Sequence, residues 1–240
     1  MKRLKNDFLF YSIVLGGYII FSILIVNAYF LRSSQQALSG SGSYFPNIII
    51  DAGHGGVDSG AVGINNILEK DINLSIALNL RDLLKASGFN VKMTRESDIS
   101  IHNNDSTTIR SKKVSDLNNR LEMINADSNN LLISIHQNKF EDSKYKGAQV
   151  FYSKNNSLSK ELAQSIRSSF KALLQKDNNR EIKPSPSGVF ILNKSQVPSV
   201  IIECGFLSNQ EDVKNLNDEL YQKKVAFSIY CGFIDYWRKS

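Results

Sequence analysis

Residues 47–60 read NIIIDAGHGGVDSG, an apolar β-branched run that passes directly into a glycine-rich turn. The run from Asn47 to Asp51 is continuously apolar instead of alternating, as expected of a strand covered on both faces. His54 then stands just past the carboxyl end of that strand, where open α/β sheets keep their sites. Gly53, Gly55 and Gly56 give the turn backbone geometries closed to other residues. A glycine-rich turn after a strand can also cradle phosphate, but here there is neither a P-loop lysine and serine nor G-x-G-x-x-G spacing.

The segments that follow alternate in the same way. Glu69 to Ala86 carries Ile72, Ile76, Leu80 and Leu83 on one face, with Gly88 just past its end, which predicts a helix with a stop. Asn90 to Arg95 reads as a strand, Ser115 to Ile124 as a helix capped by Ser115 with Leu117, Leu121 and Ile124 inward, and Leu131 to Ile135 as another strand. This β-α-β-α-β order predicts an α/β fold with a mostly parallel, mixed central sheet flanked by helices. Further along, Ala148 to Tyr152 reads as a strand, and Leu158, Leu162, Ile166, Phe170 and Leu173 form a helix stripe. Phe190–Asn193 and Ser199–Glu203 read as closing strands. Tyr221, Val225, Ile229, Phe233 and Trp237 line a final helix, as core packing. Glu96 to Lys113 is too polar to pack and too long for a simple connection, so it is expected as a surface loop.

The chain of 240 residues accommodates one soluble domain of substantial core behind an N-terminal appendage. Phe8 to Leu31 holds no charged residue and exceeds the roughly 20 residues that cross a hydrocarbon core. A secretory signal has a shorter apolar stretch followed promptly by a small-residue cleavage site. Ala37 and Ser39 imitate such a site but lie well past the run, so an uncleaved anchor is favoured and a cleaved, secreted form is the alternative. Basic residues precede the span, which puts residues 1–31 down as a cytoplasmic N-terminus and transmembrane anchor, with the domain outside the membrane. Residues 32–43, small and polar, read as a flexible linker, and residues 44–240 as the folded domain.

Half of the formal charge of +6 comes from Lys2, Arg3, Lys5 and Arg32 less Asp7, beside the span, so the remainder gives no case for nucleic acid. Cys204 and Cys231 are the only cysteines, which excludes a disulfide framework.

Four side chains in separate islands carry the chemistry: His54, Glu69 in LEKDINL, His136 in LLISIHQN and Glu203 in VIIECGF. Two histidines and two glutamates at the ends of apolar runs are the materials of a hydrolytic zinc site, which takes three protein ligands and one further carboxylate to move protons. Taken singly, each has a bland explanation: His136 as a satisfied buried histidine, or Glu69 as a carboxylate favoured at a helix N-terminus. Glu203 is more telling, because a carboxylate among apolar neighbours needs a partner, a metal or a raised pKa. His102, the third histidine, lies in the polar segment and reads as solvated. Cys204 beside Glu203 suggests a thiol nucleophile, but strand alternation turns it to the opposite face.

Taken together, HGGVDSGAVG, EKDINL, TRESD, the helix from Arg120 to Asn125, ADSNNLLISIHQN and IIECGFLSN resemble, in that order, the zinc-dependent N-acetylmuramoyl-L-alanine amidases often called amidase 3. The likeness runs from about Asn47 to Trp237. It implies that His54, Glu69 and His136 bind zinc, that Glu203 is the catalytic carboxylate, and that the substrate is peptidoglycan. Where compact members pass almost directly from the TR..D segment into the next helix, a polar stretch ending in RSKKVSDLNNR intervenes here. That stretch, GAQVFYS and the N-terminal anchor look like the germination-specific amidases of endospore formers. The subgroup implies action on spore cortex, on the forespore side of the membrane, preparing muramic acid for conversion to its δ-lactam together with a partner peptidoglycan deacetylase. The competing expectations are another zinc hydrolase of the wall, a carboxypeptidase or deacetylase, and a non-catalytic wall-binding scaffold.

Overall fold

The computed structural model describes residues 45–240. The expected span, linker and topology therefore lie outside the described residues, except for the start of the folded part. Among the described residues no helix is long and apolar enough to cross a membrane.

Strand β1 (Asn47–Ala52) is buried from Ile48 onward. It pairs in parallel with β2 (Val91–Met93) on one side and β3 (Asn130–Asn138) on the other. β3 pairs in parallel with β6 (Ser199–Phe206), and β4 (Gln149–Tyr152) closes against β6 antiparallel. The two-residue β5 (Lys183–Pro184) completes the order β2-β1-β3-β6-β4-β5. The sheet is thus mixed, with a parallel centre as the β-α-β pattern implies.

Alternation along the strands builds two cores. Ile48, Ile50, Leu131, Ile133, Val200 and Ile202 face α1 (Glu69–Ala86), α3 (Leu158–Leu173) and α6 (Glu219–Trp237). Ile49, Leu132 and Ile201 face α2 (Ile109–Asn125) and the short α4 (Phe190–Lys194). A seven-residue helix, α5 (Gln210–Leu216), follows β6, its Asn209 cap accepting from the N–H groups of Glu211 and Asp212. In α6 the stripe of Val225, Ile229 and Phe233 is fully buried, as its periodicity requires.

Three local expectations are corrected. Phe190–Asn193, read as a strand, lies in helix α4, because four residues of which three are apolar hold no period long enough to separate helix from strand. Helix α2 begins at Ile109, not Ser115. Thr108 caps it through a reciprocal pair in which Ser111 N–H donates to Thr108 Oγ1 and Thr108 N–H donates to Ser111 Oγ, both at 3.0 Å. The last five residues of the expected loop are therefore helical. The face that α2 turns inward is also different: Asp116, Arg120 and Ile124 are buried while Leu117 is 37% exposed. The apolar stripe misled because this helix docks on the sheet through an ion-paired arginine.

Candidate active site

The turn after β1 puts His54 in the left-handed region, with φ 63°, a conformation that is uncommon outside glycine and needs support. Two arginines supply it by binding the carbonyls of the turn. Arg120 donates to Ala52 O at 2.9 Å and to His54 O at 2.7 Å, and Arg95 donates to Ala52 O at 2.9 Å and Gly53 O at 3.0 Å. Arg120 is in turn fixed by the carboxylates of Asp51 and Asp116. Burial would raise the Asp51 pKa, but the Arg120 charge and the hydrogen bond from Ser134 outweigh it and hold the group at about 2.

Glu69, the first residue of α1, is buried beneath this turn. Its Oε2 accepts from Ala61 N–H at 2.8 Å, and its Oε1 from Gln137 N–H at 3.1 Å and Asn73 Nδ2 at 3.3 Å. The same carboxylate meets both histidines, His54 Nε2 at 3.2 Å and His136 Nδ1 at 3.0 Å. The imidazoles stand edge to face with centroids 5.0 Å apart. Two glycines make this approach possible. A Cβ on Gly53 would lie 2.3 Å from the His136 ring, and one on Gly60 would lie 2.6 Å from both Glu69 Oε2 and His54 Cδ2.

The electrostatics follow from a buried carboxylate between two rings. Burial would lower the His54 pKa, but its hydrogen bonds to Asp58 and Glu69 raise it to about 9. His136 is raised against its burial chiefly by Glu69, and Glu69 is driven below the carboxylate range, despite burial, by its hydrogen bonds to His136 and His54. Protons on the imidazoles and a divalent cation among them are alternative ways to balance that charge. One ligand atom each from His54, Glu69 and His136 lies within 4.8 Å of the others. Two imidazole nitrogens and a carboxylate oxygen, already converged, suit zinc in donor type and number.

Glu203 sits on β6 directly beside His136 in the β3–β6 register. Its Oε2 is buried with no hydrogen-bond partner among the described residues. Burial first, then the Glu69 charge, push its pKa up to about 7. Cys204 points to the other core, is free, and has its thiol pushed up by burial, which leaves it inert. His102 lies in the polar segment, its Nδ1 2.9 Å from Ser100 Oγ. All four residues anticipated from sequence thus converge, and the third histidine does not join them. A separate cleft of about 560 Å³ between Tyr145, Gln175, Arg180 and Tyr221 contains none of them.

Sequence reasoning overlooked the residues that hold the site together: Arg95, Asn73 and Asp58, and the inward role of Arg120. The i, i+4 spacing of Asp116 and Arg120 is the one local signal that marks the last of these.

Residues 48–235 match the N-acetylmuramoyl-L-alanine amidase family. The chain is 37% identical over 190 residues to the germination-specific N-acetylmuramoyl-L-alanine amidase of Bacillus subtilis, covering 79% of each protein. It superposes on the CwlD amidase of Clostridioides difficile, solved in complex with the GerS lipoprotein, with a TM-score of 0.78 and 46% identity over 81% of this chain and 100% of that one. The catalytic domain of CwlV, an N-acetylmuramoyl-L-alanine amidase of Bacillus (Paenibacillus) polymyxa, aligns with a TM-score of 0.67 and 30% identity over 79% of this chain and 96% of that one.

Proposed function

Since the chain belongs to the N-acetylmuramoyl-L-alanine amidase family and is similar over most of its length to a germination-specific member, we propose that His54, Glu69 and His136 hold zinc and that Glu203 moves the protons of the hydrolysis. The bond cleaved joins the lactyl carboxyl of N-acetylmuramic acid to the amine of L-alanine. A zinc ion in this site would act as a Lewis acid toward the scissile carbonyl. Glu203 takes a proton from the attacking water as the new C–O bond forms. It then gives that proton to the L-alanine nitrogen as the C–N bond breaks, leaving a free stem peptide and a lactyl carboxyl group whose remaining proton passes to the freed amine or to solvent.

The observation that carries this role is the state of Glu203. A carboxyl whose pKa is raised to about 7 is ready to accept and to return a proton near neutrality. Its unpartnered Oε2 also leaves the group undiluted by hydrogen bonds that would weaken it as a base. Glu69 and Asp51, more deeply buried than Glu203, are hydrogen-bonded and held ionised, so neither is suited to that exchange.

The preferred substrate in this reading is spore cortex peptidoglycan, where loss of the stem peptide opens muramic acid to δ-lactam formation by a partner deacetylase. The domain works outside the membrane, tethered by residues 8–31. A lipoprotein partner, as in the C. difficile complex, fits the same setting. Mass spectrometry of purified peptidoglycan treated with the protein tests the reaction. Free stem peptides are expected, whereas loss of terminal residues or of acetyl groups alone would replace it with a carboxypeptidase or a deacetylase. Protease given access to the outer side of the membrane should reach the domain, and a mature N-terminus near Gly40 would overturn the anchor.

A further inference from the structure

His54 is the first member of a chain of contacts that leads away from the metal cluster into the polar segment at 96–113, whose end forms the first turns of α2. Its Nδ1 lies 2.8 Å from Asp58 Oδ2, and Asp58 Oδ1 lies 2.7 Å from Lys113 Nζ in the first turns of α2. Among the described residues the only other hydrogen bond to that carboxylate is the long one from Gly60 N–H, at 3.4 Å. The same segment grips the glycine turn elsewhere. Asp98 accepts from Gly56 N–H at 2.8 Å and from Lys70 Nζ at 2.6 Å, and Ile99 O occupies the place where a Cβ on Gly55 would stand. The polar stretch is thus packed onto the metal turn and is more than a surface connection.

An imidazole that offers Nε2 to a metal must carry its proton on Nδ1, and a carboxylate on that proton fixes both the tautomer and the ring plane and makes the nitrogen a better donor. Asp58 meets His54 on the correct nitrogen, with His54 Nε2 turned to Glu69. Asp58 itself is on a turn and is 24% exposed, so burial does not hold it in place. Lys113 is the charged group that does. The competing reading is an ordinary surface ion pair, which is worth little and touches nothing beyond itself. It leaves unexplained why the pair closes on a ring whose other nitrogen faces the cluster.

We propose that Asp58 and Lys113 are a positioning pair for the metal centre: Asp58 holds His54 by Nδ1–H, and Lys113 holds Asp58. The pair acts through His54 and touches neither metal nor substrate, and it rests on the reading of His54 as a ligand. It gives the segment at 96–113 a task, which is to bring a cation to the back of the metal turn.

The test is zinc affinity of the full-length chain, measured by competition with a chromophoric chelator on samples whose far-ultraviolet circular dichroism matches the parent. Asp58→Ala should weaken zinc binding by roughly tenfold or more, the range seen when a carboxylate behind a ligating histidine is removed. Lys113→Ala should weaken it less, and Lys113→Arg should restore it. In the Asp58→Ala background Lys113→Ala should add nothing, because its effect passes through the carboxylate. Parent affinity in Asp58→Ala, or a Lys113→Ala loss that persists without Asp58, would overturn the pair. If Asp58→Ala does not fold, Asp58→Asn replaces it, with weakened binding supporting the pair and parent affinity refuting it. Full zinc retention by His54→Ala, by contrast, would remove the ligand assignment beneath the proposal.

Discussion

Arg120 donates from Nη2 to the carbonyl oxygen of His54 at 2.7 Å, across 66 residues of sequence. This one bond links the interior of α2 to the residue whose backbone is least at ease in the site, with φ 63°. Arg120 is 1% exposed and pairs with Asp51, which is wholly buried, so the fold cannot lose one charge without stranding the other.

Arg120→Met should therefore destabilise the domain by about 3–5 kcal/mol, the usual result of breaking one side of a buried pair. Lysine should not substitute, because three of the contacts use different nitrogens of the planar fork. Chemical denaturation checks this. The variant should also change the acid limb of stability. The folded Asp51 pKa of about 2 lies below its usual 3.8, so the stabilisation is present above pH 3.8 and lost as pH falls toward 2. In Arg120→Met that acid-sensitive contribution should shrink.

Zinc content reports on the ligand set. His54→Ala and His136→Ala should each abolish tight metal retention in elemental analysis of the purified protein, because each removes one of three converging donors. Asn73→Ala should keep the metal but loosen Glu69, which loses a 3.3 Å hydrogen bond, and so raise the rate of zinc loss to a chelator.

Zinc uptake should depend on pH with a definite sign. In the metal-free protein His54 has a pKa of about 9 and His136 is raised as well, so at pH 7 the imidazole that must be neutral to bind metal holds a proton. Binding should expel that proton, and apparent affinity should rise from pH 7 to about 9. Calorimetry in two buffers of different ionisation enthalpy measures the protons released, and a release near zero at pH 7 would contradict the electrostatics described.

How far the sequence could be read depended on what kind of signal each residue leaves. Continuous apolar runs such as NIIID mark central strands, and a polar residue at the end of such a run stands out, which is why His54, His136 and Glu203 were visible before the fold. Glu69 stood out less through pattern than through its place at a helix start. The supporting groups were hidden for a physical reason. Arg120 and Asp116 occupy inward positions that an apolar period assigns to Leu117 and Leu121, and the buried Asp51 on the facing strand β1 helps make a charged inward face stable. Asp58 and Lys113 meet through tertiary structure alone, and nothing in their separation along the chain announces it. The short α4 was lost because five residues hold little more than one turn of period.

Glu203 also leaves a trace in stability. Its folded pKa of about 7 lies above its usual 4.5, so in the metal-free protein its contribution is fully present below pH 4.5 and is lost as pH rises through 7. Glu203→Gln cannot ionise and should remove that decline. Denaturation of both metal-free proteins at pH 5 and pH 8 gives the comparison: the variant should gain on the parent at the higher pH.

The most direct measurement is turnover by Glu203→Gln on peptidoglycan, scored as stem peptide released by protein that is folded and matched to the parent in zinc content. Glutamine is nearly isosteric and keeps the packing on β6, but it cannot accept or return a proton. The account predicts unchanged zinc and fold with a loss of at least roughly a hundredfold in turnover. Release of stem peptide near the parent rate would contradict the assignment of Glu203, and a fall in zinc content would make it a ligand instead.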